Sequence, residues 1–551
     1  MKKIVFSIVL SLFLSHIFAQ TKQTTSPLNA RPKLVVGIVI DQMRWDFLYR
    51  YYDRYSNGGF KRLMQEGFNC ENTMIPYSPT VTAAGHASIY TGSTPALHGI
   101  AGNDWYDYDA QKNMYCTEDK SVKTVGATTK SGEMSPKNLL ATTIGDELKL
   151  ATNFKSKVIG VSLKDRGSIL PAGHSADAAY WYDKKTGNFI SSTYYMEELP
   201  KWASAFNASN AVFNYYQKNW NTLYPINTYT QSDVDTNSYE YEGFDSTRKG
   251  FPYNLTSLID KKDYDVIFST PYGNSITFDF AKQALINEQL GKDSITDLLA
   301  VSLSSTDYIG HAFGPNSIET EDAYLRLDKD IESFLSFLDK EIGKNKYTLF
   351  LTADHGVAHI PAYLKKHNIP AGNVSGSKLR KELNVLLKEK FGYDSIILAS
   401  FKNQFYLNFQ LIKQKDLNRD KIMETALEFL KYIPGIDRVL DYTDILESST
   451  LAMEVKEQFI KGYHPKRCGD ILTIYKPGYI DQKDGGTGTQ HASWNPYDAH
   501  IPLLFFGYGI NKGKLFETTH MTDIAPTITS LLHIQMPNAC IGKTISSAIK
   551  K

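Results

Sequence analysis

The clearest pattern along the chain is a set of short, unbroken apolar runs that stop at acidic residues. "KLVVGIVIDQ" is apolar over 34–40 and ends at Asp41, "DLLAVSLSSTD" leads to Asp307, and "YTLFLTADHG" leads to Asp354. Continuous rather than alternating hydrophobicity marks strands covered on both faces, as in parallel sheets. Helical segments such as "ESFLSFLDKEIG" lie between the runs. The alternation predicts an α/β fold with a doubly wound, mostly parallel sheet flanked by helices. Two stretches break the pattern. Residues 173–256 are rich in Tyr, Asn and Trp without clean periodicity, and are expected to form an inserted cap whose aromatic side chains pack its core. Residues 372–477 read as helix "SKLRKELNVLLKEKFG", strand "SFKNQFYLNF", helix "RDKIMETALEFLKYI" and strand "CGDILTIYKP", a small α+β subdomain.

The first twenty residues, "MKKIVFSIVLSLFLSHIFAQ", place Lys2 and Lys3 ahead of an apolar run, with Ala19 as the last leader residue. This is the form of an export signal over 1–19, followed by a linker over 20–33. A membrane-spanning helix needs roughly 20 uninterrupted apolar residues. Ser7, Ser11, Ser15 and His16 interrupt this run, so the mature protein is expected to be periplasmic or secreted, without membrane insertion, and a monomer. Sixty basic residues balance 59 acidic ones over 551 positions. That balance gives no field to attract nucleic acid, which is excluded as a main partner. Cys70, Cys116, Cys468 and Cys540 include no CxxC pair. In an exported chain they predict two disulfides, Cys70–Cys116 and Cys468–Cys540 in sequence order.

Ligands of doubly wound sheets sit beyond the carboxyl ends of the strands, so Asp41, Asp307 and Asp354 are expected on one rim. A single aspartate there would be no more than a turn residue. Two neighbours change its meaning: His311 follows Asp307 by four residues, and His355 follows Asp354 directly, with Gly356 permitting a tight turn. Carboxylate and imidazole together suit zinc. Three aspartates and two histidines leave a ligand to be found, and His491, in "GTQHASW", competes for that role with His86, His359, His464, His500 and His520. The stretch 78–92, "SPTVTAAGHASIYTG", opens a helix among hydroxyls. A hydroxyl there would serve as a nucleophile only if a base or a metal activated it.

At these residues the sequence resembles the alkaline phosphatase superfamily, in its nucleotide pyrophosphatase/phosphodiesterase branch. The likeness is strongest to exported, phosphate-irrepressible alkaline phosphatases with a threonine nucleophile. It spans most of the mature chain and rests on the ordered set "IDQMRWD", "PTVTAAGHASIYTG", "STDYIGH", "TADHG" and "GTQHAS". The resemblance implies two zinc ions, with Asp41, Asp354 and His355 matching the ligands of one and Asp307, His311 and His491 those of the other. It also implies Thr82 as nucleophile at a helix N-terminus, where backbone N–H groups favour phosphate. Asn103 matches a residue that hydrogen-bonds a nonbridging phosphate oxygen. Lys164 and Arg166 match the cations that neutralise a monoester dianion. The activity implied is hydrolysis of small-molecule phosphate monoesters through a phosphothreonine intermediate, with a broad, scavenging substrate range. A phosphodiesterase or nucleotide pyrophosphatase with the same site is the nearest rival, and Lys164 with Arg166 speaks against it. A non-catalytic metal- or phosphate-binding protein is the distant one, and would need no Thr82.

Overall fold

The computed structural model describes residues 31–240, 250–445, 451–483 and 485–550. The expected leader over 1–19 and most of the linker lie outside the described residues. Three strands whose residues are all buried form the centre of the main sheet: β1 (Leu34–Ile40), β7 (Asp297–Leu303) and β8 (Tyr347–Thr352). β1 pairs in parallel with both neighbours, from Leu34 opposite Asp297 and Tyr347 to Val39 opposite Ser302 and Thr352. Unbroken apolar sequence fits this position, because both faces of each strand are covered. In-register parallel pairing also brings the three carboxyl ends to one edge.

The remaining strands of this 11-stranded sheet are β2 (Phe68–Met74), β3 (Thr124–Val125), β4 (Val158–Ser162), β5 (Ala178–Asp183), β6 (Asn188–Ser192), β13 (His500–Gly507), β14 (Gly513–Leu515) and β15 (Thr519–His520). Their order is β14-β2-β13-β8-β1-β7-β4-β5-β6-β3, with β15 also on β2. β4 and β5 continue the parallel set, whereas β13 runs antiparallel to β8 and β2. The helices that shape the site are α1 (Thr82–Thr91), α2 (Asp165–Ala172), α4 (Ser305–Phe313) and α5 (Ile318–Leu338). Phe278 of α3 (Tyr272–Asn287) joins Phe334 and Leu335 of α5 in the main core. Of the aromatic stretch over 173–256, β5 and β6 belong to the main sheet, and Tyr182, Tyr216, Trp220 and Tyr253 are buried in the main core.

A separate four-stranded antiparallel sheet has the order β9 (Ile397–Phe401), β10 (Gln404–Leu407), β12 (Ile471–Tyr475), β11 (Ile436–Asp441). Leu383 and Leu387 of α6 (Gly376–Phe391) and Ile422 and Leu430 of α7 (Arg419–Lys431) share a core with Ile471. Spacings of four and eight residues put each leucine or isoleucine pair on one helical face and leave the lysines to solvent. Two details differ from the sequence reading. The segment over 400–409, read as one strand, contains the turn of a hairpin, because Lys402 adopts φ 53° and Phe401 pairs with Gln404. The strand β11 carries no apolar run of its own, because "IDRVLD" buries only Ile436 fully.

The expected disulfides are absent: Cys70, Cys116, Cys468 and Cys540 are all free thiols. Each sits in its own surroundings. Cys70 lies in the main core, Cys116 packs with Trp105 and Leu139, Cys468 packs with Tyr442 and Phe459, and Cys540 abuts Gly92 at the end of α1. Order along the chain says nothing of spatial approach, and a disulfide needs Cα atoms within about 7 Å. Burial pushes the Cys70 and Cys468 thiols up to about 12.

Candidate active site

Six of the residues singled out in the sequence meet at the carboxyl edge of β1, β7 and β8 as two triads: Asp41, Asp354 and His355, and Asp307, His311 and His491. In the first triad, His355 Nε2 lies 3.5 Å from Asp41 Oδ1 and 3.6 Å from Asp354 Oδ2. Both of those carboxylate oxygens are buried without a hydrogen-bond partner. In the second, Asp307 Oδ1 lies 3.1 Å from His311 Nε2 and 3.9 Å from His491 Nε2. The two adjoin, since the His355 and His491 rings stack with centroids 3.7 Å apart.

The histidine tautomers follow from their outer contacts. Nδ1 donates to the Gly356 carbonyl in His355 (2.9 Å), to Thr489 in His311 (2.8 Å) and to Thr80 in His491 (2.7 Å). With Nδ1 so engaged, the neutral form of each ring turns an Nε2 lone pair toward carboxylate oxygens. Lone pairs facing lone pairs at these distances are repulsive unless a cation lies between them. Orphaned carboxylate oxygens, three convergent imidazole nitrogens and outer carbonyls that fix the rings make a donor set that fits divalent metals.

Charge in the site is already partly matched. Lys164, only 4% exposed, donates from Nζ to Asp41 Oδ2 and Asp307 Oδ2, each at 2.6 Å. Gln42, at φ 68°, donates from its backbone N to Asp354 Oδ1 (3.1 Å) and from Nε2 to Asp307 Oδ1 (2.6 Å). Burial and the neighbouring Asp354 charge raise the Asp41 carboxyl, whereas His355 and His86 hold Asp354 down to about 2 against its burial. Burial lowers the basicity of His355 and His491, which keeps their rings neutral.

Thr82 is the first residue of α1 and its hydroxyl lies 3.4 Å from His355 Nε2. The helix begins after the extended Val81 and ends at left-handed Gly92. Its small residues allow close packing: a Cβ on Gly85 would stand 2.4 Å from the Asp354 carbonyl oxygen. His86 ties the same elements together, bonding the Thr82 carbonyl (2.9 Å) and Ser302 Oγ (2.8 Å) and lying 3.3 Å from Asp354 Oδ2. Thr80 donates its hydroxyl to the Ser493 carbonyl at 2.8 Å, a bond within the scaffold. Gly356 has no left-handed backbone; it is needed because a Cβ there would meet the Tyr497 carbonyl at 2.3 Å.

Asn103 accepts from the Ala83 amide at 2.9 Å, which leaves its Nδ2 hydrogens for another partner. Arg166, in the first turn of α2, donates from Nη1 to the Tyr115 hydroxyl at 3.0 Å, and that hydroxyl donates to Asp165 at 2.8 Å. The Arg166 Nε is buried without a partner. Of the competing histidines, His359 bonds Arg44 and Asn316, and His500 stacks on Trp45. Neither joins a triad, and neither do His464 and His520. Gln42 and Tyr115 carry no sequence signal of their own; Gln42 stands beside Asp41, and Tyr115 reaches Arg166 from 51 residues away.

A family model for the type I phosphodiesterase / nucleotide pyrophosphatase matches residues 35–498. The chain belongs to that family. The chain is similar to alkaline phosphatase PhoV of Synechococcus elongatus, 50% identical over 554 residues and 98% of each chain. Alkaline phosphatase PafA of Elizabethkingia meningoseptica is 50% identical over 524 residues, covering 94% of this chain and 95% of its own. A protein of Myroides odoratus that carries the name calcium-transporting ATPase is 53% identical over 523 residues, 95% of each chain. Among the described residues here, no helix is long and apolar enough to cross a membrane. The crystal structure of wild-type alkaline phosphatase PafA superposes with a TM-score of 0.92 at 49% identity, covering 94% of this chain and 99% of that one.

Proposed function

We propose that this protein is an exported alkaline phosphatase, a hydrolase of phosphate monoesters that works through a phosphothreonine intermediate. The observation that carries the reading is Thr82: a buried hydroxyl at a helix N-terminus, 3.4 Å from His355 Nε2 and beside two carboxylate–imidazole triads. The names of relatives at 50% identity over nearly the whole chain agree with it. We assign two zinc ions as cofactors, one to Asp41, Asp354 and His355 and one to Asp307, His311 and His491. Bound there, zinc supplies Lewis-acid activation of a hydroxyl and stabilises charge on a departing oxygen.

The chain's own residues do the rest. The N-terminal end of α1 and its dipole face the phosphoryl group, the Ala83 amide being taken by Asn103. Asn103, its carbonyl held by the Ala83 amide, directs Nδ2–H at a nonbridging oxygen. Arg166, anchored by Tyr115, supplies a second set of donors, and Lys164 balances Asp41 and Asp307 from within the site. Thr82 Oγ gives up its proton to solvent and attacks phosphorus in line, the bond from phosphorus to the leaving oxygen breaks, and that oxygen takes a proton from solvent. Water then attacks the phosphothreonine from the vacated side and releases phosphate, returning a proton to Thr82. Charge stabilisation and positioning supply most of the acceleration in such transfers.

We also infer a catalytic domain over 34–550 with insertions at 173–256 and 372–477, periplasmic or secreted, monomeric, acting on small phosphate monoesters without nucleic acid as partner. The test is kcat/KM for an aryl phosphate monoester against the matching methyl diester, in zinc-loaded protein and in Thr82→Ala. Strong monoester preference that collapses by at least about a thousandfold in the variant is expected. Diester preference would move the protein to the phosphodiesterases, and turnover surviving in Thr82→Ala would remove the nucleophile assignment.

A further inference from the structure

The hairpin between β9 and β10 turns on two residues, Lys402 and Asn403, since Phe401 pairs with Gln404. Lys402 holds φ 53°, a region L side chains enter at a cost. The two residues that follow it are pinned to β12 and the loop before it. Thr473 donates its backbone N–H (2.8 Å) and hydroxyl (3.0 Å) to the Asn403 carbonyl, and Gly469 N donates to Gln404 Oε1 at 2.8 Å. Non-glycine residues kept in strained backbone by fixed surroundings concentrate at binding sites. A cavity of about 160 Å³ lies between the hairpin and the loop bearing Asn103, walled by Pro79, Gly102, Asn103, Asp104, Lys402 and Tyr406. Lys402 makes no ion pair among the described residues, yet its charge is near enough to act on His491 and Asp498. Asp104 and Asp481 also feel its charge, though neither forms a close ion pair with it among the described residues, so the lysine is a cation beside the phosphoryl site that is only partly balanced.

We propose that Lys402 selects phosphate monoesters whose leaving group carries a second anionic group, a carboxylate or a further phosphate, which it meets in this cavity. The inference rests on the phosphatase reading above. A lysine suits the role because its ammonium is a movable point charge that fits anions of different shape. Asp104 in the same wall disfavours an anion, so the preference depends on Lys402 and reverses or vanishes without it.

The experiment compares kcat/KM for 4-carboxyphenyl phosphate with that for phenyl phosphate, in the zinc-loaded full chain, in Lys402→Asn and in Lys402→Arg. Asn tolerates the left-handed backbone and removes the charge, whereas Arg keeps it. The ratio of the two kcat/KM values is expected to fall about tenfold in Lys402→Asn and to recover in Lys402→Arg. Taking the ratio between proteins cancels the differing reactivity of the two leaving groups. An unchanged ratio, including an equal loss on both substrates, overturns the proposal. Should Lys402→Asn not fold, the wild-type ratio decides: it is expected to decline as salt screens the partly exposed ammonium, and a salt-independent ratio overturns the proposal. A wild-type protein inert toward both substrates overturns the phosphatase reading itself, a separate failure.

Discussion

Tyr115 places one hydroxyl between Arg166 and Asp165, accepting from the first and donating to the second. On the proposed function a guanidinium fixed in this way loses less freedom on gripping phosphate, and we assign the tyrosine as a positioning residue for that charge recognition. Tyr115→Phe keeps the packing and removes the acceptor. Its kcat/KM for an aryl monoester is expected to fall about tenfold, with a smaller loss on the methyl diester, which carries less charge to neutralise. Parallel measurement on both esters checks this, and an equal loss on the two would make Tyr115 a general stabiliser only. At this scale the candidate ligands were legible because Asp41, Asp307 and Asp354 each close an apolar run, His311 follows Asp307 by four residues and His355 follows Asp354 directly. Tyr115 and Gln42 were not, because their roles depend on contacts across 51 and 265 residues.

The helix α1 does its work through what it lacks. Gly85 leaves room for the Asp354 backbone, and a methyl group there would stand 2.4 Å from the Asp354 carbonyl oxygen and 2.7 Å from its Cβ. Helix propensity alone favours alanine over glycine by about 1 kcal/mol, so the two effects have opposite signs. The clash is with backbone and wins: Gly85→Ala is expected to lower both Tm and kcat/KM, and a raised Tm with full activity would show that the helix shifts freely. The α+β insertion answers to a different core. Leu383→Ala, at a fully buried position of that core, is expected to cost about 2–5 kcal/mol in denaturant unfolding. Catalytic constants of the folded fraction should change little. The helices of this insertion were readable from leucine spacing, whereas its hairpin was not, since Lys402 in a left-handed turn follows from tertiary bonds rather than from any preference of lysine.

Across the whole molecule, buried charge couples stability to metal and to pH. Three carboxylates share one buried edge, and Lys164 bonds two of them, Asp41 and Asp307. Removing zinc with a chelator is therefore expected to abolish turnover and to lower Tm, and adding zinc back should restore both. Turnover that persists once metal is undetectable would end the two-zinc assignment. Outside the triads, burial pushes the Glu319 carboxyl up to about 8, from an ordinary 4.5, against the bond it accepts from Tyr253. The folded state then holds that proton more tightly than the unfolded state. Its contribution to stability is complete below pH 4.5 and is lost as pH rises through 8. Glu319→Gln imitates the protonated acid, so its Tm should hold up better than that of the wild type above pH 8. Parallel Tm–pH curves for the two proteins would refute this.

The sequence by itself determined the central sheet, because continuous apolar runs can be satisfied only by strands covered on both faces. It also determined the edge that carries the candidate metal triads, since acidic residues ending such runs must converge when the strands lie parallel and in register. Tertiary structure alone decided the thiol state of the cysteines, the hairpin turn at Lys402, and the seats of Gln42 and Tyr115 beside the site. Those features depend on which distant segments meet, and spacing along a chain does not encode distance across a packed core.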